Sequence, residues 1–148
     1  MVVSKLGDGS VVLTDGDEEA MGLLHQNLAD PPNEIDPSRV KATFLRWNED
    51  LGQFDSWCRQ HVFHPDDDDK QTKIEFDFIL AGDVMYKNEL PELFFKTIDC
   101  YLTQKGVLWL CHVPRSTVTH QVVKDAAVAA GFQIETVDTT TVVVNDCP

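Results

Sequence analysis

Asp83 and Tyr86 are the residues of this sequence best placed to do chemistry. They close the stretch Phe76-Asp77-Phe78-Ile79-Leu80-Ala81-Gly82-Asp83-Val84-Met85-Tyr86. Its apolar run, Phe78 to Ala81, ends in a Gly-Asp pair, and a helical pattern starts at Asn88-Glu89-Leu90-Pro91. That pattern reads as a buried parallel strand feeding a crossover helix. In such sheets ligands sit outside the carboxyl ends of the strands, so a carboxylate and a phenol would stand at the rim of a cleft. The competing reading is a strand-end Asp that caps the next helix. A second set, Cys58, His61, His64 and Asp66, offers sulfur, imidazole and carboxylate, all permitted zinc ligands. Its spacing matches no common site, and a solvated loop with incidental histidines is the favoured reading, so no metal is expected.

The elements that must position these groups alternate along the chain. Ser10 to Thr14 is a β-branched-rich strand ending in Asp15-Gly16-Asp17. A helix follows, with Asp17 as N-cap and Ala20, Leu23, Leu24, Asn27 and Leu28 on one face. Val40 to Leu45 is the next strand, Leu51 to Val62 a short helix with Leu51, Phe54, Cys58 and Val62 inward, and Ile74 to Ala81 the central strand. A helix over Asn88 to Leu102 tolerates Pro91 in its first turn and turns Leu90, Phe94, Ile98, Tyr101 and Leu102 inward. Gly106 to Cys111 is an apolar strand fit for the middle of a sheet. Ser116 can cap a helix to Ala130 with Val118, Val122, Ala126 and Ala129 inward and Gly131 as its stop; Phe132 to Val137 and Thr139 to Val144 read as further strands. The order is that of a doubly wound, mostly parallel α/β sheet.

Length and composition set outer limits. At 148 residues the chain is one domain, and 43% hydrophobic with 25% charged residues is globular composition. No apolar run approaches the roughly 18 residues of a membrane span, and Met1 to Leu6 lacks the layout of a signal peptide. A net charge of −13 argues against nucleic acid, whose recognition rests on clustered Lys and Arg, and suits a basic protein partner. The four cysteines are scattered without a C-x-x-C pair, and Cys100 and Cys111 fall in apolar stretches where buried free thiols occur. A reduced, intracellular location follows, cytoplasmic or nuclear. The four carboxylates Asp66 to Asp69 form a solvated loop, which with the short helix decorates the rim over residues 48–73.

Together these features resemble the class I, seven-β-strand S-adenosylmethionine-dependent methyltransferases, and more narrowly the protein-lysine methyltransferase family. Val11-Val12-Leu13-Thr14-Asp15 is similar to the strand whose terminal acid binds the cofactor ribose. Leu45-Arg46-Trp47 resembles the strand end where a Trp lies near the adenine, and Asp77 to Tyr86 resembles the strand ending in the family's Asp-x-x-Tyr motif. Asn27 also fits. The resemblance runs from about residue 10 to 137. It implies Asp83 and Tyr86 as catalytic residues, Asp15, Trp47 and Gly82 at the cofactor, S-adenosylmethionine as cofactor, and a lysine-presenting protein as substrate.

Two departures stand out. The family begins with a strand and a glycine-rich loop that are expected to be missing, since Gly7-Asp8-Gly9 precedes the wrong strand. Asn48 also stands where the family commonly has Gly. The sequence therefore reads as a partial Rossmann-like methyltransferase domain, a truncated chain whose inner strands at Val11 and Ile74 lack a shared partner and whose activity is in question. The main alternative is a non-catalytic α/β remnant that binds a protein through its acidic surface. A dinucleotide-dependent oxidoreductase ranks last, because it gives Asp83 and Tyr86 no role.

Overall fold

The computed structural model describes residues 9–30, 35–47, 49, 51–62 and 73–137. In chain order they form β1 (Val11–Asp15), α1 (Glu18–Ala29), β2 (Val40–Phe44), α2 (Leu51–His61), β3 (Phe76–Gly82), α3 (Leu90–Tyr101), β4 (Leu102–Cys111) and α4 (His120–Ala129). The α/β alternation is as expected. The strand expected at residues 139–144, the acidic run 66–69 and Asn48 lie outside the described residues. Among the described residues, no helix is long and apolar enough to cross a membrane.

Strands β1 and β2 pair in parallel, as do β3 and β4. The described residues thus form two two-stranded sheets, where the sequence predicts one doubly wound sheet. The inner strands β1 and β3 are not paired with each other. A shared apolar layer joins the two pairs: Phe54, Cys58, Ile74 and Tyr101 are buried together, with Val12 of β1 and Phe76 and Ile79 of β3 against them. The Tyr101 hydroxyl donates to Asp55 Oδ1 at 2.9 Å, tying α3 to α2.

The larger core lies on one face of the β3–β4 pair. Met85, Phe94, Phe95, Ile98, Val118, Val123 and Ala127 are buried there, with Ile79, Ala81, Leu108 and Leu110 packed on them. The opposite face corrects a second expectation. Phe78 stands beside Val107 and Leu80 beside Trp109, and these four are 50%, 49%, 53% and 49% exposed. Their apolar run reads as a strand covered on both faces, but α3 and α4 pack on the same core and cover only one.

Local corrections have local causes. Helix α4 begins at His120 rather than near Ser116, because the Thr119 hydroxyl accepts from the Val122 N–H and Val118 is spent in the preceding turn, fully buried. The later start moves the inward face one residue on, to Val123 and Ala127, and leaves Val122 and Ala129 exposed. Gly131 does stop the helix: at φ 87° it lets its own N–H reach Val128 O and the Phe132 N–H reach Ala127 O. Residues 132–137 form no strand; Phe132 packs instead on Phe95, ring centroids 5.6 Å apart. In α1 the Asp17 cap accepts from the N–H groups of Glu19 and Ala20, and Met21 is buried while Leu23 and Asn27 are exposed.

The sequence start of β4 at Gly106 marks a real feature. Phe76 pairs with Leu102 and Phe78 with Val107, so the extra residues of β4 bulge out between them. A Cβ at Gly106 would lie 2.7 Å from Leu102 Cδ1 and 2.9 Å from Thr103 Oγ1, which is why glycine sits there. Cys100 and Cys111 are exposed, against expectation, because each points away from the face that α3 or β4 buries; among the described residues Cys58 is the buried thiol.

The one-sided core makes a testable contrast. Met85→Ala, at a fully buried side chain, should lower stability to urea unfolding by about 2–5 kcal/mol. Leu80→Ala on the open face should cost well under that, on the order of 0.5 kcal/mol.

Candidate active site

Parallel pairing brings Asp15, Leu45 to Trp47, Gly82-Asp83 and Cys111-His112 to carboxyl ends of their strands. At the first pair the Asp15 carbonyl accepts from the Leu45 N–H at 3.0 Å, and Arg46 Nε donates to Gly16 O at 3.3 Å. One Asp15 carboxylate oxygen accepts from the Asp17 N–H at 2.9 Å, so part of this side chain serves the turn into α1. The residue remains exposed. Trp47 is half-buried with its ring edge-on to Phe94, centroids 5.0 Å apart at 69°. This core contact accounts for its burial and links the β2 exit to the core beneath β3.

At the second pair the space where a Gly82 Cβ would stand is open, with nothing within 4 Å. Asp83 follows at φ 51°, the left-handed region that Asp tolerates better than most residues. Its N–H donates to Cys111 O at 2.8 Å, extending the β3–β4 ladder by one rung. Val84 and Met85 then dip into the core, Met85 completely, so Tyr86 re-emerges 60% exposed with Lys87 Nζ 5.9 Å above its ring. Asp83 and Tyr86 thus flank a buried anchor. Asp83 is not a helix cap: α3 starts at Leu90 with Glu89 before it and Pro91 in its first turn.

Three partners escaped the sequence reading. Arg115 Nη2 donates to Asp83 Oδ2 at 2.7 Å. His112 and His120 meet Nδ1 to Nδ1 at 3.1 Å. Burial, and then the neighbouring His120 ring, hold the His112 imidazole below its ordinary 6.5, with Asp83 pulling the other way. Asp83 and Arg115 lie 32 residues apart, on the exits of the paired strands β3 and β4. Sequence periodicity carries no signal for such a contact, beyond Arg115 leaving a strand end.

Of the Cys58, His61, His64 and Asp66 set, only Cys58 and His61 are among the described residues. Cys58 is fully buried, its thiol pushed up to about 12 by burial with Asp55 adding to it. His61 instead packs on Trp57 at 5.0 Å, and His64 and Asp66 lie outside the described residues. Among the described residues no three His, Cys, Asp or Glu side chains are grouped to hold a metal ion. A cavity of about 140 Å³ opens at the end of β2, lined by Phe44, Arg46, Glu49, Phe54 and Trp57 among others. It is smaller than the roughly 300–1,000 Å³ of small-molecule pockets, and none of Asp15, Trp47, Gly82, Asp83 or Tyr86 lines it.

A sequence profile of the lysine methyltransferase family matches residues 1–127. The chain belongs to that family. The match takes in all four strands and Asp15, Trp47, Gly82, Asp83, Tyr86 and Arg115, and ends within α4. Neither a curated protein nor a solved structure matches the chain significantly. This methyltransferase therefore keeps its candidate residues at the carboxyl ends of two parallel strand pairs, with Asp83 already engaged by a cation.

The depressed His112 pKa carries a stability consequence. As pH drops below the ordinary 6.5 toward the lower folded pKa, the unfolded chain takes up a proton that the folded chain does not, so stability should fall over that interval and be regained above it. His112→Gln should flatten that part of a melting-temperature profile between pH 7 and 5, whereas an unchanged slope would assign it to other groups.

Proposed function

We propose that this domain transfers a methyl group from S-adenosylmethionine to the side-chain amine of a protein lysine. The family match over residues 1–127 carries the reading, and the placement of Asp15, Gly82 and Asp83 at strand ends supports it. The residues present suit the cofactor's polar parts. Asp15 is exposed with one carboxylate oxygen beyond its turn bond, as a ribose diol requires, and the open space at Gly82 admits close approach to the backbone. Trp47 would stand near the adenine, on the same exit turn as Arg46. When bound, the cofactor supplies an electrophilic methyl on a sulfonium.

The chain's own contribution is placement and proton control. A lysine amine has an ordinary pKa near 10.4 and enters as ammonium, which cannot attack. Asp83 receives that ammonium at the rim, where its side chain is 41% exposed just past the end of β3. Tyr86, exposed beyond the Met85 anchor, walls the amine's path. Holding the amine in line is the largest effect such groups exert on a transfer with no covalent enzyme step. The partner is a basic or lysine-presenting protein, in keeping with a net charge of −13, rather than nucleic acid or membrane.

Incubation with cofactor and a lysine-rich protein substrate, followed by peptide mass spectrometry, should show the mass of one methyl group on lysine. Asp83→Asn keeps a residue tolerant of the left-handed turn and should lower kcat/KM by roughly 10- to 100-fold, the scale of a lost charged hydrogen bond. Methylation that is confined to other residue types, or unaffected by Asp83→Asn, would contradict the assignment.

A further inference from the structure

Arg115 is built into the place where the proposed substrate's charge would go. Its guanidinium holds Asp83 Oδ2 at 2.7 Å, and the two side chains are 45% and 41% exposed. Its position is not left to a flexible loop. The Arg115 N–H donates to Val118 O at 3.0 Å, and Val118 is fully buried in the same core as Met85, two residues beyond Asp83. Both ends of the ion pair therefore hang from buried anchors. Exposed ion pairs add little to stability, so this one is cheap to open. His112 on the β4 exit, which feels both Asp83 and Arg115, faces His120 at the start of α4.

We propose that Arg115 is a positioning residue that competes with the target ammonium for the Asp83 carboxylate. A carboxylate standing alone beside a lysine favours the charged amine, which is inert as a nucleophile. With Arg115 returning to Asp83, the amine is admitted weakly and released from the carboxylate, so that its proton departs to solvent and its lone pair is free. Charge balance at the rim is kept throughout: one cation faces Asp83, either the guanidinium or the ammonium. The inference rests on the lysine-methylation reading, but its first consequence, competition for Asp83, is a binding property that needs no cofactor.

The test uses the 148-residue chain with n-butylammonium chloride as probe, followed by shifts of the Gly82 and Asp83 amide resonances. Arg115→Met should bind the probe two- to fivefold more tightly than the parent, Arg115→Lys should bind it like the parent, and Asp83→Asn should lose it. In methylation assays Arg115→Met should lower KM for the lysine substrate while lowering kcat, a split that simple loss of structure does not produce. Unchanged or weaker probe binding in Arg115→Met, or no saturable shift in either protein, overturns the proposal. Probe competition without any methyl transfer by the parent chain would instead overturn the lysine-methylation reading and leave the competition standing.

Discussion

The Asp83–Arg115 pair at the candidate site depends on two fully buried side chains, Met85 and Val118. Each sits in the turn that leaves a strand of the β3–β4 pair, and each inserts into the core that α3 and α4 build with Phe94, Phe95, Ile98, Val123 and Ala127. Turns are ordinarily the mobile parts of a fold, with few buried contacts to hold them. Here the apolar anchors convert them into fixed mounts. Asp83 is held two residues before Met85 and bonded through its N–H to Cys111 O, while Arg115 is bonded through its N–H to Val118 O. The polar contact between their side chains follows from the apolar packing beneath it.

The same packing explains why the two strand pairs cooperate without a continuous ladder. Trp47, at the exit of β2, lies edge-on to Phe94 of α3, and Val12 of β1 shares an apolar layer with Ile79 of β3. Helix α3 is the common support, since its Phe94 faces one cluster and its Tyr101 the other. Side-chain contacts of this kind hold the ends of β1, β2, β3 and β4 on one structure, although backbone bonds link them only in pairs. The methyltransferase candidates Asp15, Trp47, Gly82 and Asp83 inherit their placement from that arrangement.

Much of this was legible in the residue pattern. The Phe78–Ala81 run closing in Gly82-Asp83, the Asp17 cap, Pro91 in the first turn of α3 and Gly131 at the end of α4 are local signals, and local physics decides them. The family was legible for the same reason, as ordered strand ends each carrying a recognisable residue. What failed was nonlocal. A continuous apolar run suits a strand covered on both faces but does not supply the second layer, so Phe78, Leu80, Val107 and Trp109 stand half-exposed where the run predicts burial. Burial of Val118 in a turn shifted the phase of α4, and the Asp83–Arg115 contact spans 32 residues that no periodicity connects.

The central claim, that this domain binds the methyl-transfer cofactor at these strand ends, is tested most directly by titrating the purified chain with S-adenosylhomocysteine while following tryptophan fluorescence and melting temperature. A ligand bound only by the folded form raises the melting point by mass action, and Trp47 would report an adenine bound beside it. The account predicts saturable quenching with a raised melting temperature, both weakened about tenfold or more in Asp15→Asn, the scale of a lost charged hydrogen bond. A chain that melts cooperatively yet gives a flat titration would contradict it.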